Sequence, residues 1–149
     1  MIHPSYHLYK YVYNSFNYLF KNKNFKYIYI YIIIIMGFKE DNSLVKRKTE
    51  SKHIMTKYKS RIPIIVEKND KCQMKGIDKN KYLVPSDLKM NQFMFIIRKR
   101  LSLKPHETIF LLVNNELCTS SMPFYEIYEK HADEDGFLYI IYTSENTFG

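Results

Sequence analysis

The sequence predicts an α+β fold, a small mixed sheet packed against one long crossing helix. Three observations lead there. Residues 61–67 form an almost unbroken apolar run. Residues 137–143 alternate, with Phe137, Tyr139 and Ile141 on one side and Leu138, Ile140 and Tyr142 on the other, the period of a strand. Between these runs, residues 89–101 carry Met90, Phe93, Ile97 and Leu101 at helical spacing, flanked by Met94 and Ile96, which makes an amphipathic helix. A sheet with one apolar face and a helix with one apolar stripe bury each other.

The elements follow in order. Residues 42–58 read as a helix, because Leu44, Lys48, Ser51, Met55 and Tyr58 keep a helical period beside Ile54. Asn42 or Ser43 is placed to cap it. Residues 61–67 are the first strand, although Pro63 lacks a backbone donor and needs a strand start, a bulge or a position where no partner accepts. Residues 69–76 read as a loop, and 81–84 as a second strand stopped by Pro85, so the two strands make a hairpin with a broad turn. After the 89–101 helix comes a third strand over 108–113. Asn114-Asn115 then turns tightly into a short strand around Leu117-Cys118. A short helix over 122–130, a turn over 133–136 and the 137–143 strand finish the order.

Composition narrows the function. The 149 residues carry a net charge of +8, yet residues 1–35 contain no Asp, Glu or Gly and hold eight of the fourteen tyrosines. All fifteen acidic residues fall in 36–149, a segment large enough for one modest core. Its mild basicity permits attraction to acidic partners or anionic lipid. Nucleic-acid binders carry denser basic stripes than short runs such as Arg98-Lys99-Arg100, so no nucleic-acid partner is expected. Cys72 and Cys118 stand far apart, and the histidines at 3, 7, 53, 106 and 131 are scattered, so neither a disulfide framework nor a metal site is indicated. A reducing compartment fits best. With no nucleophile–base pair, metal spacing or phosphate loop, an enzyme finds no support and no cofactor is expected.

The first segment is unlike the rest. Tyr27 to Ile35 is intensely apolar but far shorter than the roughly 20 residues of a membrane-spanning helix. Lys21, Lys23 and Lys26 interrupt it upstream. Its charges come late, and it has no small-residue cleavage site, unlike a signal peptide. The expectation is a disordered or non-native leader over 1–35, with the working protein starting at Met36. A membrane anchor or targeting tail is the alternative.

Several blocks in 36–149 are similar to the ubiquitin-like modifiers of autophagy, the GABARAP family with its yeast and protist relatives. The matching residues are Phe38-Lys39-Glu40-Asp41, Arg61-Ile62-Pro63-Ile64-Ile65-Val66-Glu67-Lys68, and Asp78-Lys79-Asn80-Lys81-Tyr82-Leu83-Val84-Pro85-Ser86-Asp87-Leu88. Further on stand Gln92-Phe93, Ile97-Arg98-Lys99-Arg100, Phe110-Leu111-Leu112-Val113-Asn114-Asn115, Glu134-Asp135-Gly136-Phe137-Leu138-Tyr139 and Phe148-Gly149. The resemblance implies a ubiquitin-like β-grasp, a four-stranded mixed sheet packed on helices, with two additional N-terminal helices, the first near 37–41.

It also implies a function, that of a substrate and tag rather than a catalyst. Gly149 would be joined to phosphatidylethanolamine by activating and conjugating enzymes of a ubiquitin-like cascade, and a delipidating cysteine protease would reverse the link. A glycine suits such transfer because no Cβ obstructs attack. Cargo receptors and adaptors bearing an aromatic-x-x-aliphatic motif would add as a strand to the edge over 79–84. The aromatic anchor would enter a first pocket of Ile54, Pro63, Ile65, Lys81, Leu83 and Phe137. The aliphatic anchor would enter a second, of Tyr82, Val84, Pro85, Leu88, Phe93, Ile96 and Arg100. Arg61 and Lys79 would attract acidic flanks, together with Lys81 and Arg100. Phe110 and Leu112 match positions tied to conjugation or membrane work. The implied location is cytoplasm and the autophagosome or vesicle membrane, or a plastid (apicoplast-type) membrane in an apicomplexan. An unconjugated peptide-binding adaptor is the other reading. Three departures stand out: Lys59-Ser60 in place of Pro-Asp, Thr119-Ser120 in place of a proline pair, and Gly136 in place of a Phe, which is expected to widen access beside Phe137.

Overall fold

The computed structural model describes residues 37–144. The 1–35 segment, Met36 and Gly149 lie outside the described residues, so the expectations on them are not addressed by the fold. The elements are α1 (Phe38–Asp41), α2 (Leu44–Lys57), β1 (Arg61–Lys68), β2 (Lys81–Pro85), α3 (Met90–Arg100), β3 (Ile109–Val113), β4 (Glu116–Leu117), α4 (Phe124–His131) and β5 (Leu138–Ser144).

The sheet has the order β2-β1-β5-β3-β4. β1 and β5 run parallel at its centre, and the other neighbours are antiparallel. The resemblance implies four strands, and the short strand expected around Leu117-Cys118 is the fifth. Leu112 and Val113 pair with Leu117 and Glu116 across a two-residue turn, which adds a minimal fifth strand at the edge. Asn114 and Asn115 both have positive φ (49° and 62°), the backbone of the tight hairpin turn whose twist suits strand pairing.

Alternation gives the sheet two different faces. Ile62, Ile64 and Val66 of β1, Ile109, Leu111 and Val113 of β3, and Leu138, Ile140 and Tyr142 of β5 turn inward. They meet Met90, Phe93, Ile97 and Leu101 of α3 and Phe124 and Ile127 of α4 in the main core. Ile65 turns to the outer face, where it packs with Phe38, Phe137, Ile54 and Tyr139. Pro63 fits inside β1 for a geometric reason. The Val66 N–H donates to Asn80 O on the β2 side, so even-numbered donors face β2 and odd-numbered ones face β5. Pairing with β5 begins only at Ile64, so the donor that Pro63 lacks falls just before that ladder starts.

The start of α3 is satisfied by main chain from a distant loop. Met90 and Asn91 donate to the carbonyls of Met122 and Ser120, and the Gln92 side-chain oxygen accepts from the Lys89 N–H at 2.9 Å. Arg98, Lys99 and Arg100 close its last turn, where cations favour the helix dipole. Ser43 caps α2, accepting from Lys46 N–H at 3.3 Å. Asn42 instead ties back to the Phe38 carbonyl at 3.0 Å.

The inward face of α2 differs from its expected stripe. Arg47 and Ser51 are the buried residues, while Lys48 and Tyr58 are exposed. Asp135, 1% exposed, explains this. Its carboxylate accepts from Arg47 Nη1 at 2.7 Å, from the Tyr139 hydroxyl at 2.7 Å and from the Phe137 N–H at 2.9 Å. Its carbonyl accepts from the Ser51 hydroxyl. Gly136 follows with φ +86°, and a Cβ there would stand 2.5 Å from Ser51 Oγ. The space expected beside Gly136 is therefore filled by Ser51.

Arg47→Ala would leave Asp135 buried without its cation and should cost on the order of 3 kcal/mol. Lys48→Ala breaks only the exposed 3.6 Å pair with Glu134 and should cost less than about 1 kcal/mol. Urea denaturation of the two variants measures both.

Candidate functional site

β2 lies at the end of the sheet, so one of its edges is unpaired among the described residues. Because Val66 N–H faces this strand, Ile64 and Ile62 share hydrogen-bonded pairs with Tyr82 and Val84. The backbone groups of Lys81 and Leu83 consequently point to the open edge. There an added strand would find its partners. The Arg61 guanidinium sits over the Leu83 carbonyl at 3.4 Å.

Register then sorts the expected pocket residues onto opposite faces. Pro63 stands opposite Leu83, and Ile65 opposite Lys81, so these four share the outer face with Ile54 and Phe137. Tyr82 and Val84 turn to the inner face, towards Phe93 of α3. One short strand thus presents two separate apolar surfaces, because successive side chains point oppositely.

The residues of the first set differ in exposure. Ile65 and Phe137 are fully buried, Pro63 is buried, Ile54 and Leu83 are half-buried, and Lys81 is exposed. Phe38 of α1 packs edge-on against Phe137, with ring centroids 5.3 Å apart. The Lys81 ammonium lies 4.8 Å above the Phe38 ring and 2.6 Å from Glu50.

In the second set, Phe93 is fully buried and makes edge-to-face contacts with Tyr82 at 5.5 Å and Phe124 at 5.2 Å. It supports Tyr82 from beneath. Val84 is also buried, Tyr82 and Leu88 are half-buried, and Pro85, Ile96 and Arg100 are exposed. The Tyr82 hydroxyl is buried and has no hydrogen-bond partner among the described residues. Burial pushes its pKa up. Arg100 pairs with Asp78 at 2.8 Å, and the Lys79 ammonium lies 5.5 Å from the Tyr82 ring.

Phe110 and Leu112 share the outer face of β3, opposite Thr143 and Ile141 of β5. Phe110 is half-buried and Leu112 only 8% exposed, while Leu117 beside it is exposed.

The chain was compared with known proteins. Residues 46–149 match the family model described as "Autophagy protein Atg8 ubiquitin like". The chain belongs to the Atg8 family. Three relatives are each named "Autophagy-related protein 8". That of Schizosaccharomyces pombe is 54% identical over 112 residues, covering 75% of this chain and 93% of the relative. Those of Mycosarcoma maydis and Vanderwaltozyma polyspora are 51% and 49% identical over the same length, each covering 75% of this chain and 95% of the relative. Atg8-family proteins are ubiquitin-like modifiers rather than enzymes, and the mixed sheet with its helices agrees with that fold.

Sequence reading missed four contributors to this Atg8-family surface. Glu50 and Asp78 hold two of the cations expected to meet a partner. Glu50 stands one turn before Ile54 on the same helix, which is a usable signal. Phe38 was visible as a matching residue but not as part of a pocket. Glu67, on the outer face of β1, accepts from the Phe38 N–H at 2.7 Å. Burial raises the Glu67 pKa, Glu40 and Asp70 add to the rise, and the Phe38 N–H and Lys39 oppose it.

Two tests follow from these placements. Phe93→Ala should cost about 3–5 kcal/mol of stability, whereas Ile96→Ala should stay within roughly 0.5 kcal/mol, so only the latter tests binding cleanly. The raised Glu67 pKa means the folded state holds this proton more tightly than the unfolded chain. Its contribution is full below the ordinary carboxylate range and is lost as pH rises through the raised value. Glu67→Gln keeps an acceptor but cannot ionise. Urea denaturation from about pH 4 to about pH 7 should show the wild type losing stability relative to this variant.

Proposed function

We propose that this Atg8-family chain is a membrane-conjugated adaptor. Its C-terminal Gly149 is joined to phosphatidylethanolamine, and its open β2 edge captures receptors bearing aromatic-x-x-aliphatic motifs. The observation that carries the reading is the two-faced edge: backbone groups of Lys81 and Leu83 that face away from β1, between an outer set around Leu83 and an inner set around Tyr82 and Leu88. A strand docked there would place alternate side chains on the two surfaces. Apolar anchors supply most of the affinity in such contacts. Arg61, Lys79, Lys81 and Arg100 favour acidic flanking residues, mainly through on-rate and selectivity.

The conjugation half rests on family membership, and the family match extends through Gly149. Activating and conjugating enzymes would handle this glycine, and a cysteine protease would release it. Among the described residues no helix is long and apolar enough to cross a membrane; in this reading the covalent lipid supplies the attachment. The protein would then divide between cytoplasm and autophagosome or vesicle membranes. Phe110 and Leu112 would contribute to the conjugation or membrane surface.

Both halves can be measured separately. Incubation with the activating and conjugating enzymes, ATP and phosphatidylethanolamine vesicles should give a lipid adduct by intact mass. Deleting Gly149 should abolish the adduct, and Gly149→Ala should slow its formation strongly. Leu83→Asp should weaken binding of an aromatic-x-x-Leu peptide by at least about tenfold, the effect of losing roughly 1.4 kcal/mol. Lipid conjugation without peptide binding, or the reverse, would remove one half and leave the other.

A further inference from the structure

We infer that Phe38 is a resident occupant of the first pocket, and that a peptide's aromatic anchor binds by displacing it. This rests on the reading of β2 as a peptide-docking edge. The Phe38 ring is only 5% exposed. It lies edge-on to Phe137, under the Lys81 ammonium, in one cluster with Ile65 and Ile54. These are four of the six residues assigned to the aromatic anchor. The pocket already holds the kind of group it is meant to receive.

The element that carries Phe38 is built to come away. α1 has four residues, too few for a helix to persist by its own hydrogen bonds. It is held by contacts at its ends. The Phe38 N–H donates to Glu67 at 2.7 Å, Asn42 donates to the Phe38 carbonyl, and Lys39 pairs with Asp133 while lying 4.6 Å from the Tyr139 ring. Two of these, at Glu67 and Asp133, are polar contacts that water can replace. Segments so held open locally without global unfolding.

The occupant is also incomplete. An aromatic-x-x-aliphatic ligand fills both pockets, whereas the residue three after Phe38 is Asp41. The resident ring therefore engages one surface and leaves Tyr82, Leu88 and Ile96 uncovered. A ligand with both anchors wins the exchange, while one with the aromatic alone merely trades one ring for another. Apparent affinity is lowered by the fraction of molecules in which the pocket is already taken. The device raises the threshold for binding and selects bidentate motifs.

The test is a titration of a fluorescent acidic-flanked Trp-x-x-Leu peptide against the full chain and its variants. Phe38→Ala should bind about tenfold more tightly than wild type, as expected when a competing occupant is removed. Glu67→Ala keeps the ring but removes its backbone anchor, and should tighten binding by a smaller factor. It also serves if Phe38→Ala fails to fold, which circular dichroism reports. Unchanged or weaker binding in the folded variants overturns the inference, because Phe38 is then a wall of the pocket. A second readout uses the wild type alone. At saturation, the Lys39, Glu40 and Asp41 amides should shift to unstructured positions in an NMR spectrum, and persistent Phe38–Phe137 ring contacts would overturn the proposal. Failure of the underlying reading looks different: the peptide would bind neither wild type nor Phe38→Ala, or would bind wild type and Leu83→Asp equally.

Discussion

The buried carboxylate of Asp135 organises the outer face of the sheet, where the proposed docking edge lies. A buried charge is costly unless its lone pairs are satisfied. Here Arg47, Tyr139 and the Phe137 amide satisfy them together. The donors come from α2, from β5 and from the residue leading into β5. Fixing them to one carboxylate therefore fixes how α2 lies over the outer face of the sheet. Burial, followed by the hydrogen bond to Asp135, holds the Tyr139 hydroxyl well above its usual pKa. Phe137, which the proposed first pocket includes, is positioned by the same group.

This arrangement explains which parts of the fold were legible in the sequence. The stripe of Met90, Phe93, Ile97 and Leu101 and the alternation of 137–143 reflect burial against one core, and both strand and helix appear within a few residues of their expected bounds. The Asn114-Asn115 turn was legible because few residue types accept two consecutive positive φ values. α2 was harder. Its inward face carries an arginine and a serine, so an apolar period points partly the wrong way, towards Lys48 and Tyr58. The carboxylate that draws Arg47 inward lies far along the chain, and no local pattern announces it. Gly136 was misjudged for the same reason, since Ser51 occupies the space beside it.

The candidate site was legible in membership more than in state. Resemblance supplied Ile54, Ile65, Lys81, Leu83 and Phe137 as a set, and strand register does bring Ile65, Lys81 and Leu83 onto one face. It said nothing of how open that set is, or that Lys81 and Arg100 are each engaged by a carboxylate. Such features depend on pairs of residues distant in sequence. They also carry the energetic character of the surface, because a partner's acidic group must compete with Glu50 or Asp78 before it gains from either cation.

The position of β5 has a consequence for how the molecule assembles. It is the last strand in sequence but stands between β1 and β3, and Ile64 pairs with Leu138. Before β5 arrives, the β1/β2 hairpin and the β3/β4 hairpin share no ladder, and each offers an open edge to any extended chain nearby. Topologies dominated by such distant pairings fold slowly, and unpaired edges in the interval invite association. The strand that closes this sheet therefore also ends the period in which a newly made chain is most vulnerable to its neighbours.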